Sequence, residues 1–246
     1  MKYVSIIILL LSSFFLTAQT VIPAPETVVQ GNGEFRTKNL QADIRQTTNT
    51  ALPSEAYRLQ VTENGIEIEA SGDAGFFYAR QTLKQLTSDQ NGTWIIPCLK
   101  IEDRPRVGFR SFLLDSGRQY QKVSTIKKYI DMAALLKMNY FHWHLTEGLG
   151  WRIEIKQYPR LTEVGAFVGK GPEQQGFYSQ EEIKEIVRYA AERCITVIPE
   201  IDMPGHAEAA LVAYPELGCF GDTIQVPENG FTQNIFCAGK THTLDF

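Results

Sequence analysis

Side chains that can bind a polar ligand or move a proton follow three short apolar runs of this chain. The first run is followed by Asp115 and Arg118, the second by His144 and Glu147, and the third by His206. A guanidinium is a rigid fork of donors that suits neighbouring hydroxyls of a sugar ring or a carboxylate. An imidazole held in a tight turn can orient or tune a carboxylic acid. These residue types predict a site that holds a polar ligand and handles a proton.

Several of these residues also have a structural interpretation. Arg118 can form an ion pair with Asp115, and such a pair could also hold the guanidinium ready for a substrate. Trp151 can be a sugar platform or a core residue, and the strand-like alternation of residues 151–155 favours the core. His206 lies in a turn with Pro and Gly, where it can tune an acid or stabilise the loop.

A metal site is a further alternative. His142 and His144 alternate along one strand, so both face the same side of it. Together with His206, and with Glu147 or Glu208, they could bind a divalent ion and form a metal-dependent hydrolase. Two alternate histidines are weak evidence, so packed and hydrogen-bonded imidazoles are the favoured interpretation. The sequence contains no GxSxG nucleophile elbow and no Gly-rich phosphate loop.

The elements that carry these residues alternate as strand, helix, strand, helix, strand. A helical pattern spans residues 124–138 with Ser124 or Thr125 as its N-cap, and a strand at residues 194–198 follows a second helix. That second helix opens at Ser179, with Glu182 at capping-box spacing. Functional side chains at the carboxyl ends of strands are typical of a (β/α) barrel.

The barrel is expected to be incomplete. It begins near residue 104, so residues 104–246 leave about 140 residues where a closed eight-stranded barrel takes roughly 250. Residues 241–246 have the pattern of the opening turn of a helix. The chain is therefore predicted to be a fragment that contains the first part of such a barrel.

Residues 21–103 are predicted to form a separate small α/β domain, with an antiparallel-type sheet and a helix. Residues 57–61 and 66–70 alternate apolar and polar around Glu63-Asn64-Gly65, which predicts a β-hairpin. Residues 74–86 carry apolar side chains at helical spacing, as expected for a helix packed on the sheet. Together with the barrel segment, this gives an α/β protein of two domains.

The amino-terminal residues 1–20 have the features of a signal peptide. Lys2 is followed by an apolar stretch at residues 6–16 and by a short polar exit. The protein is therefore expected to be exported, to the periplasm, the cell surface or the medium. The mature chain has no apolar run of about 18 residues, so no membrane span is expected. The formal net charge of −4 argues against a nucleic-acid partner.

Export changes what the four cysteines imply. Disulfides form in oxidising compartments. Cys219 and Cys237 flank a long loop, which predicts a disulfide between them. Cys98 and Cys194 lie in apolar runs and are expected to be small buried hydrophobic residues. A zinc site is disfavoured because the chain has no CxxC pair.

Four ordered segments together resemble the glycoside hydrolase family 20 enzymes, the β-N-acetylhexosaminidases. They are Arg110-Ser-Phe-Leu-Leu-Asp-Ser-Gly-Arg118, Phe141-His-Trp-His-Leu-Thr-Glu147, Gly150-Trp-Arg-Ile-Glu-Ile155 and Glu200-Ile-Asp-Met-Pro-Gly-His206. The resemblance implies removal of terminal N-acetylglucosamine or N-acetylgalactosamine from glycans, without a cofactor. It also implies a substrate-assisted, retaining mechanism, in which the acetamido oxygen of the substrate attacks the anomeric carbon.

The resemblance also implies roles for single residues. Arg118 is similar to the arginine that holds the 3- and 4-hydroxyls of the sugar, and His206 to the imidazole that hydrogen-bonds the catalytic acid. Glu147 lies where the family has an Asp linked to that imidazole, and Gly148 lies where a second Asp is usual. The remaining residues of the expected substrate-binding set are Asp115, His144 and Trp151.

The family's acid and its orienting Asp form a Gly-Asp-Glu motif on the fourth strand, and nothing after His206 matches it. The 246 residues are therefore expected to be an amino-terminal fragment that has no hexosaminidase activity by itself. Besides the metal-dependent hydrolase, a non-catalytic carbohydrate-binding remnant remains an alternative. The oligomeric state and the preference between the two sugars stay open.

Overall fold

The computed structural model describes residues 21–246 with the exception of residues 42, 229 and 231. The segment with signal-peptide features, residues 1–20, lies outside the described residues. In the part that is described, no helix is long and apolar enough to cross a membrane. Two groups of elements follow each other along the chain.

The first group is a mixed sheet with a helix on it. In chain order its elements are β1 (Thr27–Thr37), β2 (Ile44–Thr48), β3 (Tyr57–Thr62), β4 (Gly65–Ala70), α1 (Asp73–Leu86), β5 (Ser88–Gln90) and β6 (Thr93–Asp103). The strand order is β1-β6-β3-β4-β2, and β5 pairs with β6. The predicted hairpin is confirmed, because β3 and β4 are antiparallel with Thr62 opposite Gly65. The sheet is not purely antiparallel, since β2 runs parallel to β4.

Helix α1 covers one face of this sheet. Tyr78 and Leu83 of the helix pack with Leu59, Ile68 and Ile96 of the sheet in one buried apolar cluster. Burial of a large apolar side chain stabilises a fold by about 1.5–3 kcal/mol. The alternation seen in the sequence of β3 and β4 therefore sets which face meets the helix.

The second group contains three parallel strands and the helices between them. In chain order its elements are β7 (Ser111–Asp115), α2 (Val123–Leu135), β8 (Tyr140–His144), β9 (Thr146–Glu147), β10 (Gly150–Trp151), α3 (Arg160–Glu163), α4 (Gln180–Ala191), β11 (Thr196–Glu200), α5 (Glu208–Ala213) and α6 (Thr241–Asp245). Short 3₁₀ turns lie at Gly165–Phe167, Pro172–Gln174 and Pro215–Leu217. The predicted helical turn near the end of the sequence is confirmed by α6.

The parallel sheet has the order β11-β8-β7, as expected for the first strands of a (β/α) barrel. Its register places Asp115 opposite His144, and His144 opposite Glu200. The carboxyl ends of all three strands therefore lie at the same edge. Helices α2 and α4 cover the outer face, where Phe141 and Trp143 are fully buried.

Several predicted boundaries shift. The third strand occupies Thr196–Glu200 rather than residues 194–198, because Cys194 has a φ of 57° and belongs to the turn that closes α4. Helix α2 begins one residue earlier than predicted, with Lys122 as its N-cap, so the prediction of Ser124 or Thr125 was wrong.

Of two further local predictions, one is confirmed and one is wrong. The capping box of Ser179 and Glu182 is confirmed at the start of α4. Residues 151–155 do not form a strand: Gly150–Trp151 pairs with Thr146–Glu147, and Ile153 makes an isolated bridge. The backbone leaves the extended pairing there because Arg152 turns inward, as described below.

The cysteines differ partly from expectation. Cys98 is buried as predicted, whereas Cys194 is only partly buried. The thiols of Cys219 and Cys237 are both free, so the predicted disulfide is not present in this structure. Each thiol influences the other: the pKa of Cys219 is raised by Cys237, and the pKa of Cys237 is lowered by Cys219. A backbone bridge between Gly218 and Phe236 closes the loop instead.

A buried polar junction joins the two groups of elements. Lys137, just after α2, donates to Asp103 Oδ2 at 2.7 Å and to Tyr57 OH at 2.9 Å, and its side chain is 8% exposed. Beside it, Arg110 Nη2 donates to Glu55 Oε1 at 2.8 Å. Burial lowers the pKa of Lys137, although its contact with Asp103 opposes that shift. These contacts tie the first sheet to the barrel segment.

Replacing Lys137 with Met should destabilise the protein by about 3–5 kcal/mol, because the buried Asp103 would lose its cation. The matched control is Lys127→Met, which removes a partly exposed lysine paired with Glu185, whose side chain is 46% exposed. That control should cost less than about 1 kcal/mol. Urea denaturation measures both free energies of unfolding, and equal losses would contradict this account of the junction.

Candidate active site

The turn after β7 lies directly on the turn after β8. The amides of Ser116 and Gly117 both donate to His144 O, at 3.0 and 3.1 Å. A Cβ atom on Gly117 would lie 2.7 Å from Glu147 Cβ, a distance that real contacts do not reach. Only glycine permits this approach, so Gly117 places the next residue, Arg118, within reach of Glu147.

Glu147 is the point at which the three strand ends meet. It belongs to β9, just past β8, and its side chain is 2% exposed. Its Oε1 lies 2.7 Å from His206 Nδ1 and accepts from the amide of Gly148 at 2.8 Å. Its Oε2 lies 2.7 Å from Arg118 Nη2. The structure thus brings Arg118, Glu147 and His206 into direct contact.

These partners decide the charge of Glu147. Burial alone would raise the pKa of its carboxyl. The contact with His144, the hydrogen bonds with the Gly148 amide and His206, and the charge of Arg118 together outweigh burial and lower the pKa to about 2. Glu147 is therefore an ionised carboxylate at neutral pH, in a place from which solvent is excluded.

Arg118 is held from two sides. Its Nη1 donates to Asp115 Oδ2 at 2.6 Å, and its amide donates to Asp115 Oδ1 at 2.9 Å. The guanidinium then bridges to Glu147, while 44% of the side chain stays exposed. The hydrogen bond to Asp115 raises the pKa of Arg118. The Arg118–Asp115 ion pair considered from the sequence is therefore present, and the guanidinium of Arg118 remains at the surface of the site.

His206 reaches Glu147 from the turn after β11. It has a φ of 50°, in the left-handed region. Two contacts fix this turn: the amide of Asp202 donates to Thr146 Oγ1 at 2.9 Å, and the amide of Phe236 donates to Pro204 O at 3.0 Å. The imidazole is 35% exposed; its Nδ1 contacts Glu147, and its Nε2 lies 3.9 Å from Asp202 Oδ2.

His142 and His144 face the same side of β8, as predicted, and both contact Glu200 of β11. His144 Nδ1 lies 2.8 Å from Glu200 Oε1, and His144 Nε2 lies 3.4 Å from Glu147 Oε2. The ring is buried and both its nitrogens face protein carboxylates. His144, which was predicted to bind substrate, is thus engaged by Glu200 through Nδ1, while its Nε2 makes no hydrogen bond in this structure.

Trp151 also departs from the predicted substrate-binding set. Its side chain is 3% exposed. Its Nε1 donates to Ile153 O at 2.7 Å, and its ring meets Phe246 edge to face. Because neither face of the indole is open, Trp151 is a core residue in this structure and not a platform for a sugar.

Gly148 is required by the loop that crosses it. A Cβ atom at Gly148 would lie 2.0 Å from Gly230 O. Next to it, the buried carboxylate of Glu208 accepts from the amide and the hydroxyl of Thr232, at 2.9 and 3.1 Å. The loop that contains Gly230 therefore packs onto the turn that carries Glu147.

Arg152 is a residue whose role the sequence reasoning missed. Its guanidinium is fully buried and donates to four backbone carbonyls, those of Ser116, Gly117, Ala166 and Gly176, at 2.7–2.9 Å. Burial lowers the pKa of Arg152 to about 10. Two of its acceptors immediately precede Arg118. Gly150 makes the room, since a Cβ there would lie 2.0 Å from Arg152 Cζ.

The sequence analysis also did not predict that Glu200 contacts His142 and His144. The strand register contains the signal: Glu200 is the last residue of β11 and lies opposite His144, the last residue of the parallel strand β8. For Arg152 the signal was the glycine two residues before it. Neither signal is specific without the fold, since both depend on which strands are neighbours.

A metal site can be tested against this geometry. Among the described residues, the group with metal-ligand spacing is His144, Glu200 and Asp202, whose ligand atoms lie within 4.8 Å of one another. The set proposed from sequence, His142, His144 and His206, is not that group. A metal needs a lone pair on the imidazole, whereas both nitrogens of His144 face carboxylates. To coordinate an ion there, His144 would have to be neutral and its nitrogens would have to give up their present carboxylate contacts.

Fold and site together define a class of protein. Parallel strands with covering helices carry a cation, a buried carboxylate and an imidazole at their carboxyl edge, which is where (β/α)-barrel enzymes place their chemistry. Two models of known protein families match this chain. The model "Glycosyl hydrolase family 20, catalytic domain" matches residues 108–246, and "Glycosyl hydrolase family 20, domain 2" matches residues 36–104. The chain belongs to glycosyl hydrolase family 20.

Relatives agree with this assignment. A β-hexosaminidase of Porphyromonas gingivalis is 47% identical over 211 residues, which cover 80% of this chain and 27% of the relative. The N,N'-diacetylchitobiase of Vibrio harveyi is 39% identical over 68% of this chain and 21% of its own length. The chain thus spans less than a third of either relative. The family assignment makes the protein a member of a glycosidase family.

Solved structures share the fold. The β-N-acetylhexosaminidase of Bacteroides fragilis superposes with a TM-score of 0.85 and 54% identity, covering 92% of this chain and 52% of that one. A mutant β-hexosaminidase of Streptomyces plicatus in complex with the product GlcNAc gives a TM-score of 0.82 and 36% identity, covering 92% and 55%. The incomplete barrel predicted from sequence is consistent with these neighbours.

Stability should fall on both sides of weakly acidic pH. Glu147 has a folded pKa below its ordinary 4.5, so its contribution is present above 4.5 and is lost as pH falls toward about 2. Contact with Glu147 raises the pKa of His144 from 6.5 to about 9, so its contribution is present below 6.5 and is lost as pH rises through 9.

The variant that tests this pH dependence is Glu147→Gln, which should lose roughly 3 kcal/mol near neutral pH and flatten the acid limb. The surface variant Glu185→Gln serves as the control and should keep both limbs. Urea denaturation at acidic, weakly acidic and alkaline pH measures the two profiles. An unchanged acid limb in Glu147→Gln would contradict the assigned ionisation.

Arg152→Lys should destabilise the protein by about 2–4 kcal/mol, because one ammonium cannot satisfy four buried carbonyls. Arg188→Lys, on the exposed face of α4, is the matched control and should change stability by less than about 0.5 kcal/mol. Thermal and urea denaturation measure both. Equal stability of the two variants would show that the Arg152 network does not hold the turn.

Proposed function

We propose that the full-length protein removes terminal N-acetylhexosamine from glycans by the substrate-assisted, retaining mechanism of its family. The family assignment and the relatives named β-hexosaminidase support this proposal. So do related structures with N-acetylglucosamine bound. In this mechanism the acetamido oxygen of the substrate attacks the anomeric carbon as the leaving oxygen takes a proton from the acid. Water then opens the cyclic intermediate.

One observation carries the proposal for this chain: Glu147 joins Arg118 and His206 at 2.7 Å each. The three residues are far apart in sequence and belong to three successive strand ends. Arg118 offers a charged fork at the site surface, suited to two neighbouring hydroxyls. His206, whose Nδ1 is fixed by Glu147, is proposed to hydrogen-bond the acid.

Glu147 replaces the shorter carboxylate expected from the family pattern, and its longer arm still reaches His206. The carboxylate stays ionised, so it can accept the Nδ1 proton of His206 and fix the tautomer in which Nε2 has the lone pair. Glu147 and His206 are therefore proposed to orient the acid. Asp115 is proposed to hold Arg118 against the sugar.

The acid itself is proposed to lie outside these 246 residues, which contain no Gly-Asp-Glu motif. By themselves they should bind but not hydrolyse an N-acetylhexosaminide. We also propose that the protein acts after export, since residues 1–20 have the features of a signal peptide. Terminal N-acetylhexosamine on extracellular glycans would then be the substrate.

Arg118→Ala in the full-length protein should lower kcat/KM for nitrophenyl N-acetylglucosaminide by at least about 100-fold, because two charge-assisted hydrogen bonds to the sugar are lost. Arg106→Ala, at an exposed arginine between the two groups of elements, is the control and should leave kcat/KM unchanged. Purified residues 21–246 should show no turnover. Turnover by that fragment, abolished by Arg118→Ala, would refute the absence of the acid.

A further inference from the structure

His144 occupies a position between two carboxylates that the proposed mechanism does not use. Its Nδ1 lies 2.8 Å from Glu200 Oε1 and its Nε2 lies 3.4 Å from Glu147 Oε2, with 8% of the side chain exposed. Asp115 adds a third negative charge nearby. The ring of His206 stands edge-on to it, 6.0 Å away between centroids.

This arrangement determines how the ring is protonated. A neutral imidazole has one N–H donor and one lone pair, so it can donate to only one of two carboxylates. Its lone pair would then repel the other carboxylate. Nδ1 lies at hydrogen-bond distance from Glu200 Oε1, whereas Nε2 lies 3.4 Å from Glu147 Oε2 without a hydrogen bond between them. A proton on Nε2 makes that contact an attractive ion pair, where a lone pair would make it repulsive. The pKa of His144 agrees, since the contact with Glu147 and then that with Glu200 raise it against the opposing effect of burial.

We propose that His144 is a positioning residue: as an imidazolium clamped between Glu200 and Glu147, it holds the Glu147 carboxylate so that one oxygen meets His206 and the other meets Arg118. The inference rests on the proposed function, because only a glycosidase site gives that orientation a catalytic consequence. It concerns a residue that itself touches no substrate.

The need for such a clamp follows from the exposure of the other partners. Arg118 is 44% exposed, and its guanidinium is the group proposed to engage the hydroxyls of a bound sugar. Its charge is then shared between Glu147 Oε2 and the ligand. His144 is buried, so it remains as a fixed cation on the same oxygen. The orientation of Oε1 toward His206 is then kept while Arg118 engages the ligand.

The His144 imidazole can either bind a metal ion or pair with the two carboxylates, but it cannot do both. Glu200 and Asp202 lie near enough to share a metal ion with His144. A metal ligand must be a neutral imidazole with a lone pair. An imidazolium held by two carboxylates offers none, so metal binding and the clamp exclude each other. The experiment can therefore separate them.

The first test compares two neighbouring histidines in the full-length protein. His144→Gln should raise KM for nitrophenyl N-acetylglucosaminide by about tenfold, because a misplaced Glu147 no longer holds Arg118, with a smaller loss in kcat. His142→Gln is the matched control, since His142 faces the same side of β8 and contacts Glu200 but is not a contact of Glu147. Its kcat and KM should stay within about twofold of wild type. Equal losses in the two variants would overturn the proposal.

The second test measures the protonation state of the His144 imidazole directly. Nitrogen NMR of labelled full-length protein should show two protonated nitrogens on His144 at neutral pH, and deprotonation only at about pH 9. A neutral tautomer at about pH 7, or one equivalent of zinc lost in His144→Gln, would overturn the clamp. Wild-type protein that turns over no N-acetylhexosaminide would instead overturn the proposed function, while the ring spectrum still decides the clamp.

Discussion

The buried, ionised carboxylate of Glu147 is the interaction on which the site depends. A carboxylate that is 2% exposed is costly unless cations and donors surround it. Here Arg118, His144 and His206 supply them, from three different strand ends. Each partner is useful to the site only because Glu147 fixes it, and Glu147 stays charged only because they are present. Removing any one leaves a buried charge less well compensated.

The surrounding backbone is shaped to make that contact possible. Gly117 lets the turn after β7 lie on Glu147, and Gly148 lets the loop at Gly230 lie on the other side. Arg152 holds the Ser116–Gly117 carbonyls from within the core. The polar junction at Lys137 then connects this barrel segment to the first sheet. Stability and site geometry therefore share residues, so a variant that loses the geometry also loses stability.

Much of this was accessible from sequence. Alternation around Asn64-Gly65 predicted the hairpin, and polar residues after apolar runs predicted which side chains meet at one edge. What failed depended on neighbours that only the fold supplies. Trp151 and His144 have the residue types of ligand contacts, but both side chains are buried, and His144 contacts two carboxylates. Arg152 looked like part of a strand because its four carbonyl partners are distant in sequence. Cys219 and Cys237 are close, as their spacing implied, yet remain thiols.

The most direct measurement of the central claim is the ionisation of Glu147, followed by ¹³C NMR of its carboxyl carbon. The account predicts that this carboxyl stays ionised well below its ordinary pKa of 4.5, toward about 2. It also predicts that the midpoint rises when Arg118 is replaced by Ala. A carboxyl that titrates near 4.5 in the folded wild-type protein, unaffected by Arg118→Ala, would contradict the account.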